Sequence, residues 1–199
     1  MAKLHFRYGT MNSGKSTLLM TTAYNYEEMG LNVVVLKPAI DTKGNDMLDS
    51  RIGLKRKVDL LVKDDDSIIS LLETRITDKT ACILVDESQF LKEKQVDELY
   101  IISKTMNIPV ICYGLRLNFK LELFEGSKRL LALSDELEEL PSMCSCGLIA
   151  RTVARKVNEE YVLDGEEIVI DGSLSNVTYE SLCGKCYLEK VKKIEYKRR

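Results

Sequence analysis

Two periods alternate along the chain. Residues 3–8 alternate polar and apolar side chains, as a half-buried strand would. Residues 17–29 then carry Leu18, Leu19, Met20, Ala23, Tyr24 and Tyr26 without a breaker, and Gly30 follows as a C-cap, which predicts a helix. The run Leu31-Asn32-Val33-Val34-Val35-Leu36, ended by Lys37-Pro38, reads as a buried strand of a parallel sheet. Residues 38–56 hold Pro38, Gly44, Gly53 and many polar side chains with little periodicity, and predict a long loop, often a functional feature in a compact domain. A short strand follows at 58–62. Asp64-Asp65-Asp66-Ser67 offers N-capping to a helix with Ile68, Ile69, Leu71, Leu72 and Ile76 on its apolar face. Three adjacent aspartates could hold a metal, but acidic side chains also favour a helix start through its dipole, and the structural reading is preferred.

Residues 81–85 form another apolar strand that ends in Asp86-Glu87. Residues 92–106 read as a helix with Val96, Leu99, Tyr100, Ile102 and Ser103 inward, and 108–113 as a fourth buried strand entered through Pro109. Strands alternating with helices predict an α/β core with a parallel sheet flanked by helices. Cys82 and Cys112 fall inside these strands, where a thiol behaves as a small hydrophobe. His5, the only histidine, has no obvious partner and reads as structural. After Gly114, residues 115–124 are loop-like, 126–134 predict a short helix and 136–140 a further strand. Pro141 opens a different region, dominated by the other four cysteines.

Composition narrows the classes. A chain of 199 residues can bury one sizeable core with an appendage. Hydrophobic residues at 45% and charged residues at 30% are globular values, and a net charge of −2 argues against a general nucleic-acid clamp. The basic end with Lys190, Lys192, Lys193, Lys197, Arg198 and Arg199 reads as a solvated terminus. No apolar run approaches the ~18 residues of a membrane span, and the N-terminus lacks a signal-peptide core. The expectation is a cytoplasmic protein with reduced thiols rather than disulfides.

Three motifs carry chemistry. Gly9-Thr10-Met11-Asn12-Ser13-Gly14-Lys15-Ser16 fits a phosphate-binding P-loop between a strand and a helix. Its backbone N–H groups can cradle a polyphosphate, Lys15 can reach the β- and γ-phosphates, and Ser16 can ligate Mg²⁺. Ile83-Leu84-Val85-Asp86 is an apolar strand ending in aspartate, the Walker B arrangement for holding Mg²⁺. Glu87 comes next, on the opposite side of the strand's end, where it can orient a nucleophile and accept its proton. Water as nucleophile would make an ATPase and a substrate hydroxyl a kinase; these two motifs leave both open. Cys144-Ser145-Cys146 and Cys183-Gly184-Lys185-Cys186 are two close-spaced thiol pairs that together predict a closed, structural four-cysteine Zn²⁺ site. The metal would tie down both ends of residues 147–182, which have too few large apolar residues to fold alone.

The segments GTMNSGKS (9–16), VDESQF (85–90), CYGLRLNF (112–119), LFEGSKRLLALSD (123–135) and MCSCG (143–147), then a Tyr four residues before Cys183, occur in one order and spacing. Over residues 2–187 the chain resembles the zinc-containing, P-loop thymidine kinases, and its tight CxC pair resembles one bacterial branch. The resemblance implies a RecA-like P-loop core at 1–140, a small zinc domain with a lasso loop at 141–190 and a basic tail at 191–199. It also implies ATP-dependent phosphorylation of the 5′-hydroxyl of thymidine, and of deoxyuridine, in nucleotide salvage. Glu87 would be the general base. Lys15, Ser16 and Asp86 would serve ATP and Mg²⁺, with Gly9, Thr10, Met11, Asn12, Ser13, Gly14, Ser88 and Gln89 completing the nucleotide side. Phe90, Leu115, Phe119 and Phe124 match positions lining a thymine pocket. Ile168, Val169, Ile170, Asp171 and Gly172 match the lasso that closes over the base, with Tyr179 as its aromatic partner.

The same resemblance implies a homotetramer, feedback inhibition by thymidine triphosphate, and neither nucleic-acid nor membrane partners. The chain departs from the family pattern in three places. Asp171-Gly172 stands where Gly-Gly is usual, residues 172–179 run about three residues longer than is typical, and Asp41-Thr42-Lys43 replaces Asp-x-Arg, keeping a charge without the bidentate fork. The alternative is a P-loop ATPase whose zinc ribbon binds nucleic acid, disfavoured by the acidic balance and by the lack of a basic, aromatic-studded surface near the cysteines. A regulatory protein that has lost catalysis is disfavoured by the intact Glu87.

Overall fold

The structure is a computed structural model that describes residues 1–39, 46–165 and 176–194. Lys43, the lasso residues Ile168, Val169, Ile170, Asp171 and Gly172, and the terminal Lys197, Arg198 and Arg199 lie outside the described residues.

In chain order the first part runs β1 (Leu4–Gly9), α1 (Lys15–Glu28), β2 (Asn32–Pro38), β3 (Met47–Asp49), β4 (Lys55–Lys57), β5 (Leu60–Val62), α2 (Ile68–Glu73) and β6 (Thr80–Val85). A 3₁₀ turn (Ser88–Phe90), α3 (Glu93–Thr105), β7 (Val110–Gly114), α4 (Glu125–Leu133) and β8 (Glu136–Leu140) follow. Six strands form one parallel sheet in the order β5-β2-β6-β7-β1-β8. Alternation along each strand sorts its side chains between two faces. Leu4, Phe6, Val34, Leu36, Ile83, Val85, Val110 and Cys112 pack with Ile68 and Leu72 of α2, Val96, Leu99 and Ile102 of α3, and Leu130 of α4. Val33, Val35, Cys82, Leu84, Ile111 and Tyr113 pack on the other face with Leu19, Met20 and Ala23 of α1. Burial on both faces is why these strands read as continuous apolar runs.

Residues 38–56 are not simply a loop. Within them β3 pairs antiparallel with β4, with Leu48 opposite Arg56. Leu48 is fully buried against the face covered by α1, and the turn is closed by Leu54 N–H donating to Ser50 Oγ at 2.9 Å. Arg56 holds Glu27 of α1 through Nη1 at 2.8 Å and Nη2 at 2.6 Å. Strands of three residues with Lys-Arg-Lys in one arm leave no alternation to detect.

His5 does have a partner, with Nδ1 3.1 Å from Glu136 Oε2 on the neighbouring β8. Two of the three aspartates take separate structural contacts. Asp66 accepts from Lys63 N–H at 2.8 Å and Asp64 pairs with Lys92 at 3.0 Å, while α2 is capped by Ser67 and by Glu98, which accepts from Ile68 N–H at 2.5 Å.

Beyond β8 lie β9 (Ser142–Met143), β10 (Ile149–Ala150), β11 (Thr152–Val157), β12 (Glu160–Val162), β13 (Val177–Leu182) and α5 (Gly184–Lys190). β10-β9 form a two-stranded sheet and β12-β11-β13 a three-stranded antiparallel one. Cys144, Ala150, Ala154, Leu182, Cys183, Cys186, Tyr187 and Val191 make a separate small core. Three hydroxyl contacts join this part to the large sheet: Ser142 with Thr10, Ser181 with the Met11 carbonyl, and Tyr187 with the Phe119 carbonyl.

Candidate active site and cysteine cluster

β1 ends at Gly9 and α1 begins at Lys15, so the loop between them delivers its N–H groups at a helix N-terminus, where anions are favoured. The loop is tight. A Cβ on Gly9 would stand 2.3 Å from Ser13 Oγ and 2.6 Å from the Leu140 carbonyl. Gly14 has φ +77° and Asn12 has φ 66°, a left-handed conformation that a non-glycine residue holds only where its surroundings enforce it. Lys15 Nζ donates to the Thr10 carbonyl at 2.7 Å. Burial lowers its proton affinity and the Arg51 charge adds to that, against the pull of Glu87 and Asp86.

The loop forms one wall of a cavity of about 280 Å³ lined by Met11, Asn12, Gly14, Lys15, Ser16 and Thr17. Asp49, Ser50, Arg51 and Ile52, at the turn between β3 and β4, line it too, with Glu87 and Leu115. Arg51 was not foreseen from the sequence, because the hairpin that presents it was not.

Asp86 follows the last residue of β6 and is buried, with Ser16 Oγ at 3.2 and 3.4 Å from its two carboxylate oxygens. Burial, then the neighbouring Glu87 charge, raises its pKa to about 7, against the Glu87 backbone N–H, Lys37 and Ser16. A hydroxyl beside a carboxylate is a hard-oxygen donor set that fits Mg²⁺. Glu87 has φ 49°, again left-handed, and the chain turns immediately into the 3₁₀ turn.

That turn sends the next two side chains inward rather than toward the cavity. Ser88 Oγ donates to the Tyr113 carbonyl at 2.9 Å. Gln89, also buried, donates through Nε2 to Glu87 Oε2 at 2.5 Å and accepts from Leu115 N–H at 3.0 Å. Gln89 therefore braces Glu87 against the strand end that carries Leu115.

The aromatic set falls into two groups. Phe90 and Phe124 meet edge to face, with centroids 5.5 Å apart. Phe119 and Tyr179 are linked by Arg155, whose guanidinium carbon stacks 3.8 Å from the Phe119 centroid and whose Nε donates to Tyr179 Oη at 3.0 Å. Arg155 is 3% exposed, which places a charged residue inside the wall. In sequence Arg155 stands among Arg151, Thr152 and Lys156, so nothing there marked it as buried. Of the four residues matched to a thymine pocket, Leu115 lines the cavity.

Among the described residues, one group could hold a metal through three or more side chains: Cys144, Cys146, Cys183 and Cys186, whose sulfurs all lie within 4.8 Å of one another. Zn–S bonds of about 2.3 Å arranged tetrahedrally put sulfurs about 3.8 Å apart, so the cluster fits Zn²⁺. Cys146 and Cys183 sulfurs stand at 3.6 Å. Burial raises the Cys144 pKa, but hydrogen bonds from the backbone N–H groups of Cys146 and Cys183 and from neighbouring thiols outweigh it and bring the value to about 6. Hydrogen bonds to Cys146 and the other thiols push Cys186 the opposite way, up to about 12, so the cluster concentrates thiolate character on one sulfur. No helix among the described residues is long and apolar enough to cross a membrane.

A family model described as thymidine kinase matches residues 2–187. The chain is 45% identical over 193 residues to the thymidine kinase of Pasteurella multocida, covering 96% of this chain and 99% of that one. It is 42% identical over 191 residues to the thymidine kinase of Streptococcus gordonii, covering 95% and 97%. It is 43% identical over 196 residues to the thymidine kinase of Enterobacteria phage T4, covering 98% and 100%.

Proposed function

The chain belongs to the thymidine kinase family, and from that premise we propose that its cavity transfers the γ-phosphoryl group of ATP to the 5′-hydroxyl of thymidine, and of deoxyuridine. The observation that carries this reading is the meeting of Glu87 with Lys15 and Ser16 in one cavity, with Glu87 braced by Gln89. Phosphoryl transfer needs little covalent work from the protein and much positioned charge. Lys15 supplies charge from the loop, and Arg51 supplies it from the opposite wall, next to the transferred group. Ser16 and Asp86 would hold Mg²⁺, which when bound would offset the charge of the phosphates. Glu87 accepts the 5′-hydroxyl proton, and the Gln89 amide fixes which carboxylate oxygen faces the acceptor. Leu115 gives the cavity an apolar wall, and Phe90, Phe124, Phe119 and Tyr179 would add aromatic surface for a methylated base, the last two held by Arg155.

Zn²⁺ on the four cysteines would anchor both ends of residues 147–182, where the family pattern puts the contacts to the base. Excluding water from the phosphates favours transfer over hydrolysis. Thymidine triphosphate, the end product of this salvage, inhibits by placing its base in the same pocket with phosphates toward Lys15. The assembly is a homotetramer. The reading extends to a cytoplasmic location, a reducing compartment that supplies ATP and keeps cysteines available as zinc ligands.

The test is a coupled assay with labelled ATP and a panel of nucleosides, run on the protein and on Glu87→Gln. Product is expected with thymidine and deoxyuridine alone, and the variant loses transfer by at least about 10³-fold while keeping its affinity for ADP. A variant with near-normal turnover removes Glu87 from the base role. ATP hydrolysis stimulated by DNA and indifferent to thymidine overturns the kinase reading itself.

A further inference from the structure

The Met11 carbonyl accepts two hydroxyl donors: Thr10 Oγ at 3.2 Å from within the loop, and Ser181 Oγ at 2.9 Å from β13, far away in sequence. The consequence lies one atom further along. A peptide unit is planar and trans, so its C=O and the following N–H point in opposite directions. Holding the Met11 carbonyl toward β13 aims the Asn12 N–H away from that strand, in a peptide whose two residues line the cavity. Asn12 is also the loop residue with φ 66°, a conformation that a contact from outside the loop helps to maintain.

Ser181 does not sit on a neutral strand. Tyr179 precedes it by two, so both side chains leave β13 on the same face. Across the ladder Tyr179 stands opposite Arg155 and Ser181 opposite Val153. Tyr179 is bound to Arg155, and Arg155 stacks on Phe119. One strand face therefore touches the aromatic wall on the acceptor side and the phosphate loop on the donor side.

We infer that Ser181 is a positioning residue that couples the acceptor pocket to the phosphate cradle, by orienting the Met11–Asn12 peptide from the strand that also carries Tyr179. The inference rests on the kinase reading above for what fills the two sites. It makes thymidine and the nucleotide partners in binding: ordering Tyr179 stiffens β13, which steadies the cradle, and by linkage the reverse holds equally.

The experiment uses Ser181→Thr and Ser181→Val, which have the same shape and differ in the hydroxyl, with Ser181→Ala as a second hydroxyl-free variant. Calorimetry measures ADP affinity for each protein with and without saturating thymidine. The threonine variant is expected to bind ADP within about twofold of the parent and to retain the tightening by thymidine. The valine and alanine variants are expected to lose roughly five- to tenfold in ADP affinity, with the thymidine effect reduced toward none and thymidine affinity for the free protein kept. Equal ADP affinity in the valine and threonine variants overturns the inference, as does a parallel loss for ADP and thymidine, which a purely structural role would give. These readouts need no turnover, so failure of the parent protein to phosphorylate thymidine would be seen separately and would count against the kinase reading instead.

Discussion

A Cβ at position 114 would stand 2.7 Å from Gln89 Oε1 and 2.8 Å from Ser88 Oγ. Glycine is what allows β7 to end directly beneath the 3₁₀ turn, and that contact positions Gln89, which in turn holds Glu87. Gly114→Ala must push the turn outward, with an expected loss of about 1–3 kcal/mol of stability. Because the displaced group braces the proposed base, kcat should fall more than ATP affinity does. Urea unfolding and steady-state kinetics check both, and an alanine variant with parental kcat and midpoint would show that the turn does not need this approach. Glu87 adds its own tension, since its left-handed backbone is one that only the surrounding contacts sustain.

At the scale of elements, β13 carries opposite duties on its two faces. Tyr179 and Ser181 look toward Arg155 and the Met11 carbonyl, while Glu180 accepts from Tyr161 at 2.6 Å on β12 and pairs with Lys156 at 2.9 Å on β11 and Lys190 at 3.1 Å on α5. Burial raises the Glu180 pKa, but these hydrogen bonds outweigh it and hold the value at about 2, against an ordinary 4.5. Its folded value is depressed, so the stability it contributes is complete above about pH 4.5 and is lost as pH falls from there toward 2. Glu180→Gln should therefore cost about 1–2 kcal/mol at pH 6, discounted for partial exposure, with a smaller gap from the parent at pH 3.5. Unfolding at the two pH values tests this, and a gap that stays constant would remove the charge from the explanation. The elements that were legible in sequence are those whose burial imposes a period. Val33 to Leu36 and Ile83 to Val85 betray a two-sided sheet, and the glycines of the loop and the cysteine pairs have fixed spacings that chemistry demands. What escaped has no period. The hairpin that brings Arg51 to the cavity is made of three-residue strands, Gln89 looked like a polar neighbour of the catalytic turn until its inward bonds were seen, and Ser181 is one hydroxyl whose partner lies 170 residues away.

For the whole molecule, two cores of unequal size share a few hydroxyl contacts. Among the described residues the smaller has Ala150, Ala154, Leu182, Tyr187 and Val191 beside its cysteines, with Tyr161 and Leu163 half-buried against them, too little apolar surface to hold two short sheets and a helix unaided. Removing the metal with a chelator should lower the melting temperature by at least about 5 °C, and amides of residues 142–194 should lose exchange protection before those of the six-stranded sheet. Unchanged melting with no metal released would count against Zn²⁺ as the staple. The strand order has a further consequence, and it concerns birth rather than function. β1 lies between β7 and β8, its residues paired with Val110 on one side and reaching Leu140 on the other. On the ribosome this strand's second neighbour emerges some 130 residues after it, roughly 7–26 s at ordinary translation rates. Through that interval Leu4 and Phe6 have no finished sheet to enter, and the phosphate loop has no Leu140 to close against. The nascent chain thus waits with its first apolar strand exposed, a client for chaperones, and a fragment that stops before β8 is fit for degradation rather than for binding a nucleotide.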